Sequence, residues 1–313
     1  MALFTERNNL RKEKEKTYDI SPDMYDLILD FCKEYFINLA WKYPTYCQDD
    51  DASIYNYSQH KLIRALKFEI SSLIDEDDFI KPEISQNWKT KEYIRNYDQY
   101  AILDLAEYVY KNIEDYEEVK VHSFYGHTHI RFYKNRYTHY VKKDFKNELN
   151  LLLEKMGLLY RMKDNGEIER VVSNETALNE LKEASNNSDD ASLKELIDSA
   201  IFLYLKPNES NIQLALEKIW DAFERIKTVF TDLDKKESSE KLINIVSSNE
   251  EDYKELLKEE FAQLTSIGNK FCIRHHETNK IEIADTRHKE YLFNRCCSLL
   301  LLCIRFITNR SFS

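Results

Sequence analysis

Apolar residues recur at helical spacing in four stretches of the first half of the chain. The first begins at Ser21 and Pro22, where a capping residue precedes a proline in the first turn, and its apolar positions continue to about residue 40. The other three stretches cover residues 60–73, 97–113 and 142–156. In each stretch the apolar side chains fall on one face, which predicts amphipathic helices around a common core.

Two other stretches of the first half carry strand signals. Residues 119–133 are rich in β-branched and aromatic side chains with partial alternation, which predicts a strand or an irregular hairpin. Residues 158–172 place apolar flanks around Asp164-Asn165-Gly166, and Asn-Gly favours a tight hairpin because both turn residues then need a positive φ. The helix at 142–156 followed by this hairpin predicts a winged-helix-like element.

The second half of the chain has a helical pattern almost throughout. Residues 183–191 are small and polar, and they separate the two halves. Beyond them the pattern predicts helices at 192–205, 208–230, 237–247, 250–269 and 288–308. We therefore predict an α+β domain over residues 1–182 and a helical bundle over residues 183–313.

Composition supports a mainly α fold and excludes several functions. The 313 residues include only four Gly and four Pro, too few for the turns of an all-β fold or for a glycine-rich phosphate loop. P-loop nucleotide hydrolysis and dinucleotide-dependent redox chemistry are therefore excluded, and we expect no cofactor. The N-terminus lacks the apolar core of a signal peptide, and the apolar run at 298–307 is too short to span a bilayer. We expect a cytoplasmic protein without membrane contact.

A polar, charged cluster separates two helical patterns in the second half: residues 269–280 contain Arg274, His275, His276 and Glu277. Arg carries a permanent charge and a fork of donors suited to phosphate, and His exchanges protons near neutral pH. Together they supply a general base for a 2′-hydroxyl and a cation for the developing phosphorane, as a metal-independent ribonuclease requires. The alternative is structural, with the histidines capping helix carbonyls or pairing with Glu277.

Longer segments resemble known families. Residues 210–230, 274–280 and 291–295, with the apolar helix that follows, resemble the HEPN domains of bacterial abortive-infection defence proteins. In the first half, residues 4–8 and the hairpin strands within 159–170 resemble the AbiJ-type N-terminal domain found in the same architectures.

The HEPN resemblance implies a small helical bundle that forms a homodimer with one shared, metal-independent ribonuclease site. It implies an antiphage protein that acts on RNA, with Arg274, His275 and His276 as catalytic residues. Glu277 and His288 would support them. The N-terminal domain would sense or position the target.

The chain departs from the HEPN pattern at one position, because Asn279 stands where the spacing places the catalytic His. This departure leaves an alternative function open: a non-catalytic HEPN-like module for dimerisation, or for binding a nucleotide or a partner protein of a defence system. A third possibility, DNA binding through the hairpin at 158–172, is disfavoured by the net charge of −11.

One local segment is basic although the whole chain is acidic. Residues 119–146 contain seven Lys or Arg and a single acid, Asp144, with Phe and Tyr interleaved. Single-stranded nucleic acids are held by cations on phosphates and by rings on bases. The alternative is that the rings form a small core and the cations its solvated face. We predict RNA contacts from Arg131, Lys134, Arg136, Lys142 and Lys143.

The same segment holds His122, His127, His129 and His139. His127 and His129 would share one face of a strand, an arrangement that can suit a metal. Because no Cys or well-spaced carboxylate lies nearby in the sequence to complete a set of four ligands, we expect surface histidines and no metal.

Overall fold

The computed structural model describes residues 7–8, 16–50, 52–91, 93–133, 140–206, 209–274 and 279–308. The fold is mainly α, as predicted, with ten α-helices within these residues. The chain divides into two units, Met1–Arg170 and Val171–Ser313.

The helices of unit 1 lie where capping and periodicity predict them. Ser21 caps the first, its hydroxyl accepting a hydrogen bond from the Met24 amide at 3.4 Å. This helix ends before residue 40, and a 3-10 turn at Phe36–Leu39 follows it. The helices are α1 (Pro22–Glu34), α2 (Gln59–Glu69), α3 (Ala101–Asn112) and α4 (Tyr140–Met156).

The core of unit 1 lies between α1, α3 and α4. Ile28 from α1, Leu105 from α3 and Leu149 from α4 are fully buried in it. The ring of Phe145 packs on Tyr35 with a centroid distance of 4.8 Å. Each such apolar side chain stabilises the fold by about 1.5–3 kcal/mol on burial, which is why these helices pack through one face.

Unit 1 contains a four-stranded antiparallel sheet of β1 (Pro44–Tyr46), β2 (Ile54–Tyr57), β7 (Tyr116–His122) and β8 (His127–Phe132). The order of these strands across the sheet is β1-β2-β8-β7. The β7–β8 pair confirms the hairpin predicted within residues 119–133. The remaining strands in this region form two small hairpins: β3 (Ile74–Asp75) with β4 (Asp78–Phe79), and β5 (Ile84–Gln86) with β6 (Tyr93–Arg95). β1 to β6 were not predicted, since two to four residues are too few to show an alternation.

The predicted hairpin at the end of unit 1 is confirmed, with β9 (Tyr160–Met162) antiparallel to β10 (Ile168–Arg170). Its turn differs from the expected type. Among turn residues 163–167, all of them described, only Gly166 has a positive φ, of 84°. The expectation that both residues of Asn-Gly need a positive φ was therefore wrong, because the loop is longer than two residues and closes with the Lys163 amide donating to the Glu167 carbonyl at 2.9 Å.

Unit 2 is helical within its described residues. Its helices are α5 (Glu175–Asn186), α6 (Ala191–Tyr204), α7 (Glu209–Ile226), α8 (Lys235–Val246), α9 (Glu251–Lys270) and α10 (Thr286–Thr308). Leu178 and Leu181 of α5 are buried in the core of this unit. The structural division after Arg170 therefore lies earlier than the predicted domain boundary at residue 182.

The apolar helix α10 forms much of the core of unit 2. Its Phe293 ring stacks on Tyr204 at 4.0 Å, and burial raises the pKa of the Cys296 and Cys303 thiols to about 12. These cysteines act as small apolar side chains. α10 is long and apolar enough to cross a membrane, but half of its most apolar part is buried within the protein. A core helix meets the same criteria of length and composition, and α10 contributes Phe293, Cys296 and Leu300 to the core of unit 2.

Candidate functional site

The predicted catalytic cluster follows α9 in the sequence, and backbone hydrogen bonds join the described residues on either side of it. The Cys272 amide donates to the Ile281 carbonyl at 2.8 Å, and the Ile281 amide donates to the Lys270 carbonyl at 3.1 Å. The buried side chain of Gln213, on α7, donates to the Ile273 carbonyl at 2.6 Å. These bonds hold the backbone immediately before Arg274. His275, His276 and Glu277 lie outside the described residues.

Arg274 forms an ion pair with Asp221 on α7. Its Nε and Nη2 both donate to Asp221 Oδ1, at 3.2 and 2.6 Å. The Arg274 and Asp221 side chains are both partly exposed. The guanidinium is thus positioned by an acid that also offsets part of its charge.

A polar cleft of about 620 Å³ lies beside this ion pair. Lys235 and Lys280 line it together with Arg274, and Glu224 supplies an acid. The Lys280 Nζ donates to the Gly268 carbonyl at 2.7 Å, and the Lys235 Nζ donates to Glu224 Oε2 at 2.8 Å. The cleft therefore brings together three cations able to contact phosphate oxygens.

Glu224 has a second cationic partner in Lys227, whose Nζ lies 2.5 Å from Glu224 Oε1. Burial by itself raises the pKa of the Glu224 carboxyl, but the hydrogen bonds and charges of Lys227 and Lys235 outweigh burial and lower that pKa below its usual value. Burial lowers the pKa of Lys227 despite the opposing effect of Glu224. These charges belong to an intrachain network at the wall of the cleft.

His288, predicted as a supporting residue, lies exposed in the first turn of α10. Its neighbour Arg287 donates from Nη2 to Asp285 Oδ2 at 2.6 Å. In the described part of unit 2, His288 does not line the cleft beside Arg274. The structure therefore does not bring these two predicted residues together.

The predicted RNA-contacting cations lie on two elements of unit 1. Arg131, on β8, is exposed and lies 3.8 Å from Glu117 on the neighbouring strand β7. Lys142 and Lys143 lie in the first turn of α4, where Lys142 Nζ donates to the Lys111 carbonyl at 3.3 Å and Lys143 is exposed. Lys134 and Arg136 lie outside the described residues. Glu117 lies just before the basic segment 119–146 in the sequence. The pairing of β7 with β8 places it beside Arg131, where it offsets part of the positive charge of that segment.

Four potential metal ligands meet on the four-stranded sheet: Cys47, His122, His127 and His129. His122 and His127 are cross-strand partners, and His129 follows on the same face of β8. Cys47 comes directly after β1, where its amide donates to the Ser53 carbonyl at 2.9 Å. One ligand atom from each of the four side chains lies within 4.8 Å of the others.

Two side chains of this cluster are buried, and His122 and His127 are partly exposed. Cys47 is 1% exposed and His129 is 7% exposed. Within the described residues, the buried Nε2 atoms of His127 and His129 have no hydrogen-bond partner. Desolvation, followed by the neighbouring His122 and His129, lowers the pKa of His127. A neutral imidazole is the form that binds metals.

The positions of these four ligands along the chain do not by themselves indicate that they meet. A detectable signal was present, since His122 faces His-x-His at 127–129 across a four-residue turn. The missing member was Cys47, which lies 75 residues before its neighbour His122. The expectation that no cysteine is available to these histidines was therefore wrong in three dimensions.

An α+β unit with a terminal helix and hairpin, followed by a helical unit, is the arrangement that the sequence predicted for an abortive-infection protein. The family model described as AbiJ N-terminal domain 4 matches residues 2–187, more than half of the chain, and the chain therefore belongs to this family. No curated protein and no solved structure matches it. The matched residues confirm the AbiJ resemblance of the first half, whereas the HEPN resemblance of the second half stays a prediction.

Proposed function

We propose that this chain is an antiphage protein of the abortive-infection type, whose helical unit cleaves RNA without a metal ion at the Arg274 cleft. Membership of the AbiJ N-terminal domain 4 family supports the role in phage defence. The observation that carries the chemistry is the polar cleft itself, where Arg274, Lys235 and Lys280 lie together. His275 and His276 follow Arg274 directly in the sequence.

In this mechanism each group has one task. His275 or His276 takes the proton of the 2′-hydroxyl, whose oxygen then bonds to the neighbouring phosphorus. The P–O5′ bond breaks, and the protonated histidine returns its proton to the leaving 5′-oxygen, which gives a 2′,3′-cyclic phosphate and a 5′-hydroxyl. Arg274 stabilises the charge that develops on the phosphorane, an interaction whose removal costs about 10²–10³ in rate in comparable sites. Lys235 and Lys280 hold the flanking phosphates. Glu277 supports these residues, whereas His288 does not line the described cleft and has no task in this mechanism.

A HEPN-type site also requires a second copy of the chain, because two copies contribute to one cleft. We therefore expect a homodimer in solution, measured as the molar mass by light scattering during gel filtration. A strictly monomeric protein that cleaves RNA would contradict the HEPN form of the mechanism.

A second candidate function rests on the Arg274–Asp221 ion pair. An intrachain carboxylate that accepts two hydrogen bonds from Arg274 leaves less positive charge for a phosphorane. Under this alternative, the helical unit is a non-catalytic module that dimerises or binds a nucleotide or a partner defence protein. The position of Asn279, where a catalytic His was expected, supports the same alternative.

The experiment that tests the proposal is RNA cleavage by the purified protein in EDTA. The parent is compared with Arg274→Ala and with the triple variant Arg274→Ala, His275→Ala, His276→Ala. Arg287→Ala is the matched control, because Arg287 is also paired with an acid in unit 2 but does not line the cleft. We expect a loss of about 10²–10³ for Arg274→Ala and no change for the control. Cleavage by Arg274→Ala at the parental rate would refute the proposal.

A further inference from the structure

The Cys47, His122, His127 and His129 cluster has the composition of a metal site rather than of a group of surface histidines. Zn²⁺ in proteins is bound by thiolate sulfur and imidazole nitrogen, usually by four ligands in a tetrahedron. The cluster offers one sulfur and three imidazoles within 4.8 Å of one another. One soft ligand with three borderline ones suits zinc better than the hard cations magnesium and calcium, which prefer oxygen.

The distances within the cluster fit a tetrahedral ion. Bonds of about 2.0–2.1 Å to nitrogen and about 2.3 Å to sulfur place tetrahedral ligand atoms roughly 3.3–3.6 Å apart. Cys47 Sγ and His122 Nδ1 lie 3.3 Å apart. The remaining pairs all lie within 4.8 Å, so each must close by at most about 1.5 Å to reach the same spacing.

Burial supplies a second, independent observation. The Nε2 atoms of His127 and His129 are enclosed and have no hydrogen-bond partner among the described residues. Buried polar atoms are normally satisfied, so two such atoms in one cluster require an explanation. A metal ion would satisfy both at once. The ring of Tyr55 stacks on His127 at 4.1 Å and further shields it from water.

The surroundings of His122 match those of a metal-bound imidazole. Its Nδ1 faces Cys47, while its Nε2 lies 3.6 Å from Asp49 Oδ2. Tyr125 in turn donates its hydroxyl to Asp49 Oδ1 at 2.9 Å. A ligand histidine commonly directs its second nitrogen to a carboxylate, which orients the ring and strengthens the ligand.

We propose that Cys47, His122, His127 and His129 bind one zinc ion that ties the β1–β2 loop to the β7–β8 hairpin. Cys47 binds as the thiolate and releases its proton to solvent. With four protein ligands the site is closed, so its role is structural rather than catalytic. It lies within unit 1, and it does not depend on the ribonuclease proposed for unit 2.

Metal content of the untagged, full-length protein tests the proposal, after expression with added zinc and gel filtration. We expect one zinc per chain by inductively coupled plasma mass spectrometry. Cys47→Ser and His129→Gln should lose most of the zinc. Cys272→Ser and His60→Gln are controls of the same residue types outside the cluster, and they should keep it. Equal zinc in all five proteins would overturn the proposal.

Titration of the apoprotein with Co²⁺ keeps the test decisive if a ligand variant does not fold. The parent should develop the visible absorption of tetrahedral cobalt and a near-ultraviolet thiolate-to-cobalt band. Asp49→Asn, which removes the carboxylate beside His122, should weaken zinc binding by about 10–100-fold in competition with a chelating dye. A folded parent without these bands would refute the site, and iron or copper in place of zinc would refute the assignment of the ion.

Since EDTA would strip this zinc, the ribonuclease assay should be repeated in resin-treated buffer containing only Zn²⁺.

Discussion

A substitution at the Arg274–Asp221 ion pair distinguishes between the two candidate functions of the helical unit. Asp221→Asn keeps the size of the side chain but removes the negative charge beside Arg274. If the cleft binds RNA, loss of this negative charge strengthens the attraction of Arg274 for an RNA phosphate, and the affinity for RNA should rise. If the ion pair is only structural, RNA binding should not change.

The structural cost of this substitution should be small. Both donors of Arg274 reach the same oxygen, Asp221 Oδ1, so the pair lacks the two-oxygen geometry of the strongest Arg–carboxylate contacts. The two side chains are 37% and 26% exposed, so solvent screens their attraction. Partly exposed pairs of this kind contribute about 0.2–1 kcal/mol, which corresponds to a loss of at most about 4 °C in Tm for a unit of this size.

The assay is fluorescence anisotropy with a labelled single-stranded RNA over a range of salt concentrations. One additional phosphate contact should steepen the slope of log K against log[salt] by about 0.7. Asp285→Asn is the matched control, because it frees Arg287 by the same change of charge away from the cleft. Equal effects of the two substitutions, or none, would refute RNA binding at the Arg274 cleft.

Three further expectations concern other parts of the chain. Gly166→Ala should cost about 1–3 kcal/mol in urea denaturation, because alanine is strained at a φ of 84° and its Cβ would overlap the ring of Tyr110. Gly126→Ala shares the positive φ but meets no atom, so an equal loss there would contradict the role of Tyr110. The lowered pKa of Glu224 means that its ion pairs stabilise the fold fully above about pH 4.5 and are lost as pH falls through the folded-state pKa. The difference in free energy of unfolding between the parent and Glu224→Gln should therefore shrink as the pH falls. A difference that grows in acid would contradict the lowered pKa of Glu224. If Arg131 and Lys143 contact RNA phosphates, replacing both with Ala should flatten the salt slope by about 1.4 in the anisotropy assay, whereas an unchanged slope would assign them to the solvated face.

The sequence alone determined most of the helices and the family. Helix signals are local: a capping side chain such as Ser21 and apolar residues three or four apart lie within one or two turns. The hairpin at the end of unit 1 was located by Asn165-Gly166, although the loop length, and with it the type of turn, depended on how the flanking strands pair. The polar residues around Arg274 were found for the same local reason, as an interruption between two helical patterns.

Only the tertiary structure decided which distant side chains meet. Asp221 lies 53 residues before Arg274, and its position beside the guanidinium follows from the closure of the loop after α9 against α7. The sheet order β1-β2-β8-β7 and the β1–β2 loop bring Cys47 to three histidines far along the chain. Spacing along a sequence reports contacts within one helix or hairpin. The pairing of short strands and the packing of helices depend on the burial of the whole core, so the ion pair and the proposed zinc site could be recognised only after folding.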